Sequence, residues 1–241
     1  MIILTETARI IILIYLFAAL LPGFFILRYI YSKDSIEKED PRLLGSLLLQ
    51  GVYAALCSIV LEMIGEYILD LSLSKDSPAY VLVLAFLVVA VVEEGTKFFF
   101  LKKKTWNLPD FNYTFDAIVY AVFVSMGFAM FENVKYVFGY GLGVALPRAF
   151  LAVPGHMGFA VFMGYFYGKA KVAESNGNRS GMILDLVASY AIAVLLHGIY
   201  DSTAMMQTGN ATIMYLAFVA ILFFVVYRMI KKESAEDRMI L

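Results

Sequence analysis

The sequence predicts an all-α fold, a polytopic bundle of about seven transmembrane helices. Of its 241 residues 61% are hydrophobic and only 16% are charged, and the mean hydropathy is +0.79. A soluble domain of this length needs a more polar surface, so the excess apolar side chains are expected to face lipid. No segment shows the alternation typical of strands, and an open sheet would leave backbone groups unpaired in lipid.

Seven apolar stretches have the length of about 20 residues that a spanning helix needs. They cover Ile10–Tyr31, Leu43–Ile64, Ala79–Leu101, Phe115–Phe138, Ala149–Gly168, Met182–Met205 and Ala211–Ile230. The first stretch is long for a cleaved signal and is followed by a basic loop, so it is interpreted as a retained span. Residues 1–241 are thus expected to form one transmembrane domain, whose polar motifs lie within a core of about 79–205.

The basic residues predict how the bundle is oriented. Fourteen of the 19 lysines and arginines fall on one side of it: Arg28, Lys33, Lys38, Arg42, Lys102, Lys103, Lys104, Lys169, Lys171, Arg179, Arg228, Lys231, Lys232 and Arg238. The positive-inside rule then places the N-terminus outside a cell membrane and the C-terminus in the cytoplasm. A net charge of −1 indicates no nucleic-acid partner, and the single cysteine, Cys57, excludes a disulfide within the chain and a thiolate metal cluster.

Ionisable side chains lie inside four of the spans, away from the span ends. They are Glu93, Glu94 and Lys97 in the third span, Glu132 in the fourth, His156 in the fifth, and His197 and Asp201 in the sixth. A charged side chain at a helix centre costs roughly 3 kcal/mol. The four carboxylates and the one ammonium group of this set would together cost on the order of 15 kcal/mol if they stayed charged and unpaired. We therefore expect them to face one another or a wet cavity.

Helical spacing predicts which of these side chains meet. Lys97 follows Glu93 by four positions and Glu94 by three, and Asp201 follows His197 by four, so each pair shares a helix face. A carboxylate at that position commonly fixes the orientation of an imidazole. The predicted depths of these side chains in the membrane agree less well with a single shared site. At 1.5 Å per residue, the histidines and Glu132 would lie roughly 9–12 Å from the outer boundary and Glu93 about 20 Å.

Other polar and small residues are expected to have structural roles. Carboxylates near the span ends are interpreted as interfacial anchors: Glu62, Glu66, Asp70, Asp116 and Asp185. Gly164 and Gly168 form a small-xxx-small pair that favours close helix packing.

The motifs and their order resemble those of the PrsW family of intramembrane proteases. The chain carries EExxK at 93–97, FxxxE from Phe128 to Glu132, a histidine at His156, and HxxxD from His197 to Asp201. The family is similar to the wider group that contains the CAAX prenyl endopeptidases, in which the second motif usually ends in His. Glu132 at that position favours the PrsW branch. The resemblance implies proteolysis of a single-span membrane protein, which in known relatives is an anti-sigma factor cut on its extracytoplasmic side.

Peptide hydrolysis needs an activated water and stabilisation of the oxyanion. Glu93 or Glu94 is expected to act as general base, with Lys97 keeping one of the two ionised. His197, oriented by Asp201, is expected to donate towards the oxyanion together with His156 or Asn133. No serine or cysteine nucleophile is evident.

Three alternatives stay open at this point. This scheme requires no cofactor, but Glu93, Glu132, His156 and His197 could instead hold a catalytic zinc ion, although the chain has no HExxH motif. Intramembrane acids and histidines also occur in proton relays and transporters, although no inverted repeat is evident. A catalytically silent scaffold is the third.

Overall fold

A computed structural model describes residues 6–206 and 208–240 of the chain. Within those residues seven helical spans are long and apolar enough to cross a membrane, and the backbone forms no strand. The elements are α1 (Glu6–Lys33), α2 (Pro41–Ser72), α3 (Pro78–Val83), a π-helical segment (Leu84–Ala90), α4 (Val91–Thr105), α5 (Asp116–Tyr140), a 3₁₀ turn (Leu142–Val144), α6 (Ala145–Phe150), α7 (Ala152–Ser175), α8 (Arg179–Met205) and α9 (Gly209–Ala235). The predicted all-α, seven-span architecture is confirmed, while the orientation stays a prediction.

Several spans are longer than the hydropathy pattern predicts. The second extends to Ser72 instead of Ile64, and the fifth begins at Leu142 instead of Ala149 because it includes the short helix α6. The apolar pattern ends where polar residues begin, whereas a helix continues for as long as its backbone hydrogen bonds are made. The longer fifth span places His156 further from the outer end of its span than the sequence predicts.

Helix α5 is the centre of the bundle. In its spanning window 78% of the residues are buried, against at most 50% in any other described span. Helix α2 approaches it at backbone distance, because a Cβ atom at Gly127 would lie 2.0 Å from the carbonyl oxygen of Leu48. A Cβ atom at Gly164 of α7 would lie 2.7 Å from the carbonyl oxygen of Ala117, which fits the predicted close packing. Small residues let helix backbones meet in this way.

The third span changes its winding just before the EExxK motif. Residues Leu84–Ala90 form a π-helical segment, and α4 continues from Val91. Helix α8 packs on this segment at Gly198, where a Cβ atom would lie 2.2 Å from the ring of Phe86. A π-turn shifts the phase of the residues that follow it and is frequent at functional sites. Because Gly198 has no side chain, its neighbour His197 comes close to the start of α4.

Two acidic side chains are buried at the end of the bundle where α1 joins α2. Asp34 is 1% exposed and Glu39 is 7% exposed, and Glu39 accepts a hydrogen bond of 2.7 Å from the hydroxyl of Tyr120. Burial raises the pKa of Asp34. Burial, together with the negative charges of Asp34 and Asp110, raises the pKa of Glu39 to about 7. We therefore expect this loop to respond to pH near neutrality.

Candidate active site

Lys97 lies at the centre of a buried cluster of charges. Its Nζ atom is 3.1 Å from Oε2 of Glu93, 2.8 Å from Oε1 of Glu94 and 3.2 Å from Nδ1 of His156. The same ammonium lies 4.0 Å from the ring centroid of Phe128, within the range of a cation–π contact. All these side chains except Phe128 are ionisable and at most 5% exposed. The expected pairing of Lys97 with both glutamates is therefore present, and it extends to a histidine on another helix.

His197 lies between two carboxylates from different helices. Its Nδ1 atom is 2.8 Å from Oε1 of Glu94 on α4, and its Nε2 atom is 3.3 Å from Oδ2 of Asp201, one turn further along α8. The ring of Phe159 stacks on the imidazole with centroids 4.8 Å apart. Contacts with both nitrogens and one ring face leave the imidazole little freedom to rotate. Asp201 is therefore placed to orient His197, but it shares that task with Glu94.

His156 connects the Lys97 cluster to Glu132. Its Nε2 atom lies 3.0 Å from Oε2 of Glu132, and its Nδ1 atom faces the Lys97 ammonium. An ammonium group only donates hydrogen bonds. Nδ1 is therefore the acceptor, and Nε2 carries the proton that is donated to Glu132. This tautomer follows from the partners and not from an observed hydrogen.

Arg148 holds Glu132 from the other side. Its Nη2 atom donates to Oε2 of Glu132 at 2.8 Å, its Nε atom donates to Oδ1 of Asn133 at 2.8 Å, and its guanidinium lies 3.9 Å from the ring centroid of Tyr136. Sequence reasoning missed this residue because Arg148 belongs to a segment interpreted as an outer loop. The available signal was an arginine inside an otherwise apolar stretch on the side with few basic residues.

A cavity of about 260 Å³ contacts most of these side chains. The expected site residues among those that line it are Glu93, Phe128, Glu132, His156, His197 and Asp201, together with Arg148. Glu94 and Lys97 lie behind this wall, each 1% exposed, and are not among the lining residues. The structure thus distinguishes the two neighbouring glutamates. Glu93 faces the cavity, whereas Glu94 supports Lys97 and His197 from behind.

The donor atoms for a metal are close together, but Lys97 lies among them. Glu93, Glu94, His156 and His197 each offer a ligand atom, and these four atoms lie within 4.8 Å of one another. Carboxylate oxygens and imidazole nitrogens suit zinc. The Lys97 ammonium, however, contacts three of these four side chains. The donor types fit a zinc ion, but the arrangement does not fit one while Lys97 holds this position.

The structure corrects three expectations from the sequence. Glu132 lies outside the group of four possible ligands and contacts His156 and Arg148 instead. Asn133 donates from Nδ2 to the carbonyl oxygen of Ala19 in α1 at 2.7 Å and is 0% exposed, so its amide is not available to an oxyanion. The third expectation was that the carboxylates near the span ends are interfacial anchors. Two of them, Glu62 and Glu66, line the cavity.

The other polar residues of the spans have local partners. Asp116 accepts from the backbone N–H groups of Asn112 and Tyr113, and Asp185 pairs with Lys169 at 3.4 Å. The hydroxyl of Ser125 donates to the carbonyl oxygen of His156 at 3.0 Å.

Comparison with known proteins identifies the family of these motifs. Residues 39–227 match the model of a family described as PrsW family intramembrane metalloprotease. A protein named Protease PrsW from Geobacillus kaustophilus is 35% identical over 184 residues, which cover 76% of each chain. Proteins of the same name from Clostridioides difficile and Bacillus subtilis are 30% and 29% identical, and the alignments cover 85% and 92% of this chain and 84% and 96% of theirs. No solved structure gave a significant match.

Proposed function

The chain belongs to the PrsW family of intramembrane proteases, and we propose that it hydrolyses a peptide bond at the cavity lined by Glu93, His156 and His197. The observation that carries the proposal is the convergence of these side chains from three spans on one cavity inside the helical bundle. A protease needs a base, a donor for the oxyanion and room for a peptide segment at one place. Glu93, the two histidines and the open space of the cavity support the proposal on these three counts.

Glu93 is the general base in this proposal. Both Glu93 and Glu94 contact Lys97, but Glu93 faces the cavity while Glu94 is committed to Lys97 and His197. A water between Glu93 and the substrate carbonyl would give its proton to the carboxylate as its oxygen attacks the carbonyl carbon. Contact with the Lys97 ammonium favours the ionised form of Glu93 that this step needs.

The histidine side of the cavity stabilises the tetrahedral intermediate. Nε2 of His197 lies 3.3 Å from Asp201, a longer contact than the 2.8 Å between Nδ1 and Glu94, and the side chain of Asp201 is 17% exposed. An oxyanion formed in the cavity would compete with Asp201 for the proton on Nε2, while Nδ1 stays on Glu94 and the ring keeps its position. When the intermediate collapses, the C–N bond breaks and the leaving amine takes the proton from Glu93. The products are a free carboxylate and a free amine, and no redox change occurs.

The proposed substrate is a protein anchored in the membrane by a single helix, as the family resemblance implies for an anti-sigma factor. The cavity lies towards the side of the bundle on which α2, α5 and α8 end, because its lining includes Lys135, Tyr136 and Met205 near those ends. The positive-inside rule predicts that this side is extracytoplasmic. Cleavage would then occur in the outer half of the bilayer.

Zinc-dependent hydrolysis is the second candidate, and the four clustered donors favour it. A zinc ion would polarise the scissile carbonyl and activate water, and Glu93, Glu94, His156 and His197 would hold it once Lys97 had moved away. Exhaustive chelation distinguishes the two candidates. Full activity of the purified protein with metal below stoichiometric amounts supports the glutamate scheme, whereas loss of activity and its recovery with zinc supports the metal scheme.

The test of proteolysis uses a single-span reporter protein co-expressed in bacteria. Glu93→Gln and His197→Ala are each expected to lower cleavage by at least 100-fold while the protein still accumulates in the membrane. Cys57→Ser, at an exposed position of α2, is the matched control and should cleave like the parent chain. Full cleavage by both site variants would show that the cavity is not the active site.

A further inference from the structure

Glu62 places a carboxylate in the active-site cavity without a partner. Its Oε1 atom is buried and makes no hydrogen bond to any described residue. Glu62 belongs to one face of α2, on which Ser58, Glu62 and Glu66 follow at intervals of four residues, and all three line the cavity. Ser58 shares a hydrogen bond of 2.7 Å with Thr96 on α4, one residue before Lys97. Glu62 lies one turn along α2 from that contact, beside the proposed catalytic groups.

Two of the basic groups around the cavity are already engaged with partners of this chain. Lys97 contacts Glu93 and Glu94, and Arg148 contacts Glu132 and Asn133. Lys135 lines the cavity, but it is exposed and its Nζ atom lies 5.8 Å from the ring centroid of the neighbouring Tyr136.

The carboxylates of the cavity outnumber these cations. Those that line it are Glu62, Glu66, Glu93, Glu132 and Asp201. Glu62 shares this cavity with the carboxylates of Glu93 and Glu132, whose negative charges oppose its own. The wall formed by α2 is therefore acidic, and among the described residues no cation forms an ion pair with Glu62 or Glu66.

We propose that Glu62 is a specificity-determining residue that binds a lysine or arginine side chain of the substrate near the scissile bond. This proposal rests on the proposed proteolytic function. A buried carboxylate is costly unless it is paired with a cation or takes up a proton. A substrate ammonium or guanidinium group would supply the missing partner, and each of its hydrogen bonds to a carboxylate would be charge-assisted.

The substrate cation would also be more favourable here than a neutral partner. A backbone N–H of an unwound substrate segment could donate to Oε1, but it would leave the negative charge beside Glu93 and Glu132 uncompensated. A cation lowers that repulsion as well. Lysine and arginine also reach such a site from a helix in lipid, because their long stems extend the charged end away from the apolar surface.

The experiment compares three single-span reporters that differ at one residue. The variable residue is lysine, methionine or glutamate. A set of three reporters is made for each of the four positions before and the four positions after the cleavage site. The parent chain should cut the lysine reporter about tenfold faster than the methionine reporter at one or two of these positions. The glutamate reporter should be cut most slowly there. Equal rates for the three reporters at every position would overturn the proposal without any variant.

Glu62→Gln tests whether this residue causes the preference. The variant should lose the tenfold advantage of lysine over methionine and cut the glutamate reporter better than the parent does. Glu66→Gln is the matched control, since Glu66 lies one turn further along the same face but is exposed, so solvent should screen its charge. It should keep most of the preference.

A uniform loss of cleavage for all three reporters in Glu62→Gln would indicate a structural role and would also overturn the proposal. Glu93→Gln distinguishes this result from a failure of the proposed function. If Glu93→Gln is inactive and the parent shows no preference, only the role of Glu62 is wrong. If Glu93→Gln cuts every reporter at the full rate, the active site itself has been misassigned and the preference at Glu62 has no basis.

Discussion

Glu94 and His197 are joined across helices α4 and α8 by a contact of 2.8 Å between Oε1 and Nδ1. The same oxygen of Glu94 accepts from Nζ of Lys97, also at 2.8 Å. Asp201, which the HxxxD spacing indicates as the partner of the imidazole, makes the longer contact of 3.3 Å. The tighter hold on His197 therefore comes from another span, through a residue that itself lies behind the cavity wall.

The two carboxylates that flank His197 should differ in importance. Glu94→Gln is expected to lower reporter cleavage by about 10- to 100-fold, because the imidazole loses its closer partner and Lys97 loses one of two counter-charges. Asp201→Asn should cost less, since its contact is longer and partly exposed. Initial cleavage rates of both variants, measured at equal protein levels, provide the comparison. A greater loss in Asp201→Asn would contradict the order of these contacts.

Arg148 should be needed for both stability and activity. Arg148→Met removes the charged partner of Glu132 and is expected to destabilise the protein by about 2–4 kcal/mol, as breaking a buried ion pair does. Arg148→Lys should recover little, because an ammonium group cannot contact Glu132, Asn133 and the ring of Tyr136 at once. Unfolding in detergent micelles measures the loss.

The control for Arg148 is Lys135→Met, which removes an exposed basic group of the same cavity. It should change stability by less than about 0.5 kcal/mol. In a double-mutant cycle, Arg148→Met and Glu132→Gln should show a coupling energy of about 1–3 kcal/mol. Additive effects would mean that the ion pair does not act as a unit.

Glu39 should make stability depend on pH near neutrality. Its pKa of about 7 in the folded chain exceeds the value of 4.5 expected when it is exposed. The folded state therefore binds the proton more tightly, and the stability from this group is fully present below about pH 4.5 and is lost as pH rises through about 7. The change amounts to up to about 3 kcal/mol, since one pKa unit corresponds to about 1.4 kcal/mol.

Glu39→Gln is the corresponding test. The neutral amide keeps an acceptor for the hydroxyl of Tyr120 but cannot ionise. The melting temperature in detergent should therefore fall less between pH 5 and pH 8 than in the parent, and should be higher than in the parent at pH 8. Glu37→Gln, exposed in the same loop, should change the pH profile of the parent much less than Glu39→Gln does. Parallel profiles of Glu39→Gln and the parent would rule out this effect.

The contact between α2 and α5 should not tolerate a side chain at Gly127. A Cβ atom there would lie 2.0 Å from the carbonyl oxygen of Leu48, and a backbone group cannot turn aside. Gly127→Ala is expected to destabilise the protein by about 1–3 kcal/mol or more and to reduce cleavage by displacing the α2 wall of the cavity. Gly139→Ala lies in the same helix, at a position where a Cβ atom would meet no described residue outside its own turn of helix within 4 Å, and it should be neutral or slightly stabilising in thermal unfolding.

The contacts that follow from spacing along one helix were predictable from sequence. Glu93 and Lys97 meet, as do Glu94 and Lys97, and Asp201 lies on the face of His197. These predictions succeed because the α-helix fixes which residues share a face, whatever the helix packs against. The number of spans follows from apolar length for the same reason, since each span is a local property of the chain.

Contacts between helices could not be obtained in this way. The depth mismatch expected between Glu93 and the histidines does not keep them apart, since Nδ1 of His197 lies 4.0 Å from Oε2 of Glu93, and α6 lengthens the fifth span outside His156. Asn133 was expected at the oxyanion, but α1 takes up its amide, and Glu62 was expected at the interface, but α2 turns it towards the cavity. Each of these contacts depends on the rotation and depth of one helix relative to another. Close backbone approaches, such as that at Gly127, determine this rotation and depth.

The sequence alone therefore determined that this chain spans a membrane with helices and carries paired ionisable residues in its interior, because both are encoded by composition and by local periodicity. The order of the motifs, through their resemblance to a known family, added the protease interpretation. Only the tertiary structure decided that Glu93 faces the cavity while Glu94 stands behind it, and that Arg148 holds Glu132. Two adjacent glutamates on one helix point about 100° apart. Which of them meets the cavity depends on how the surrounding helices pack, and that packing sums many contacts between residues distant in sequence.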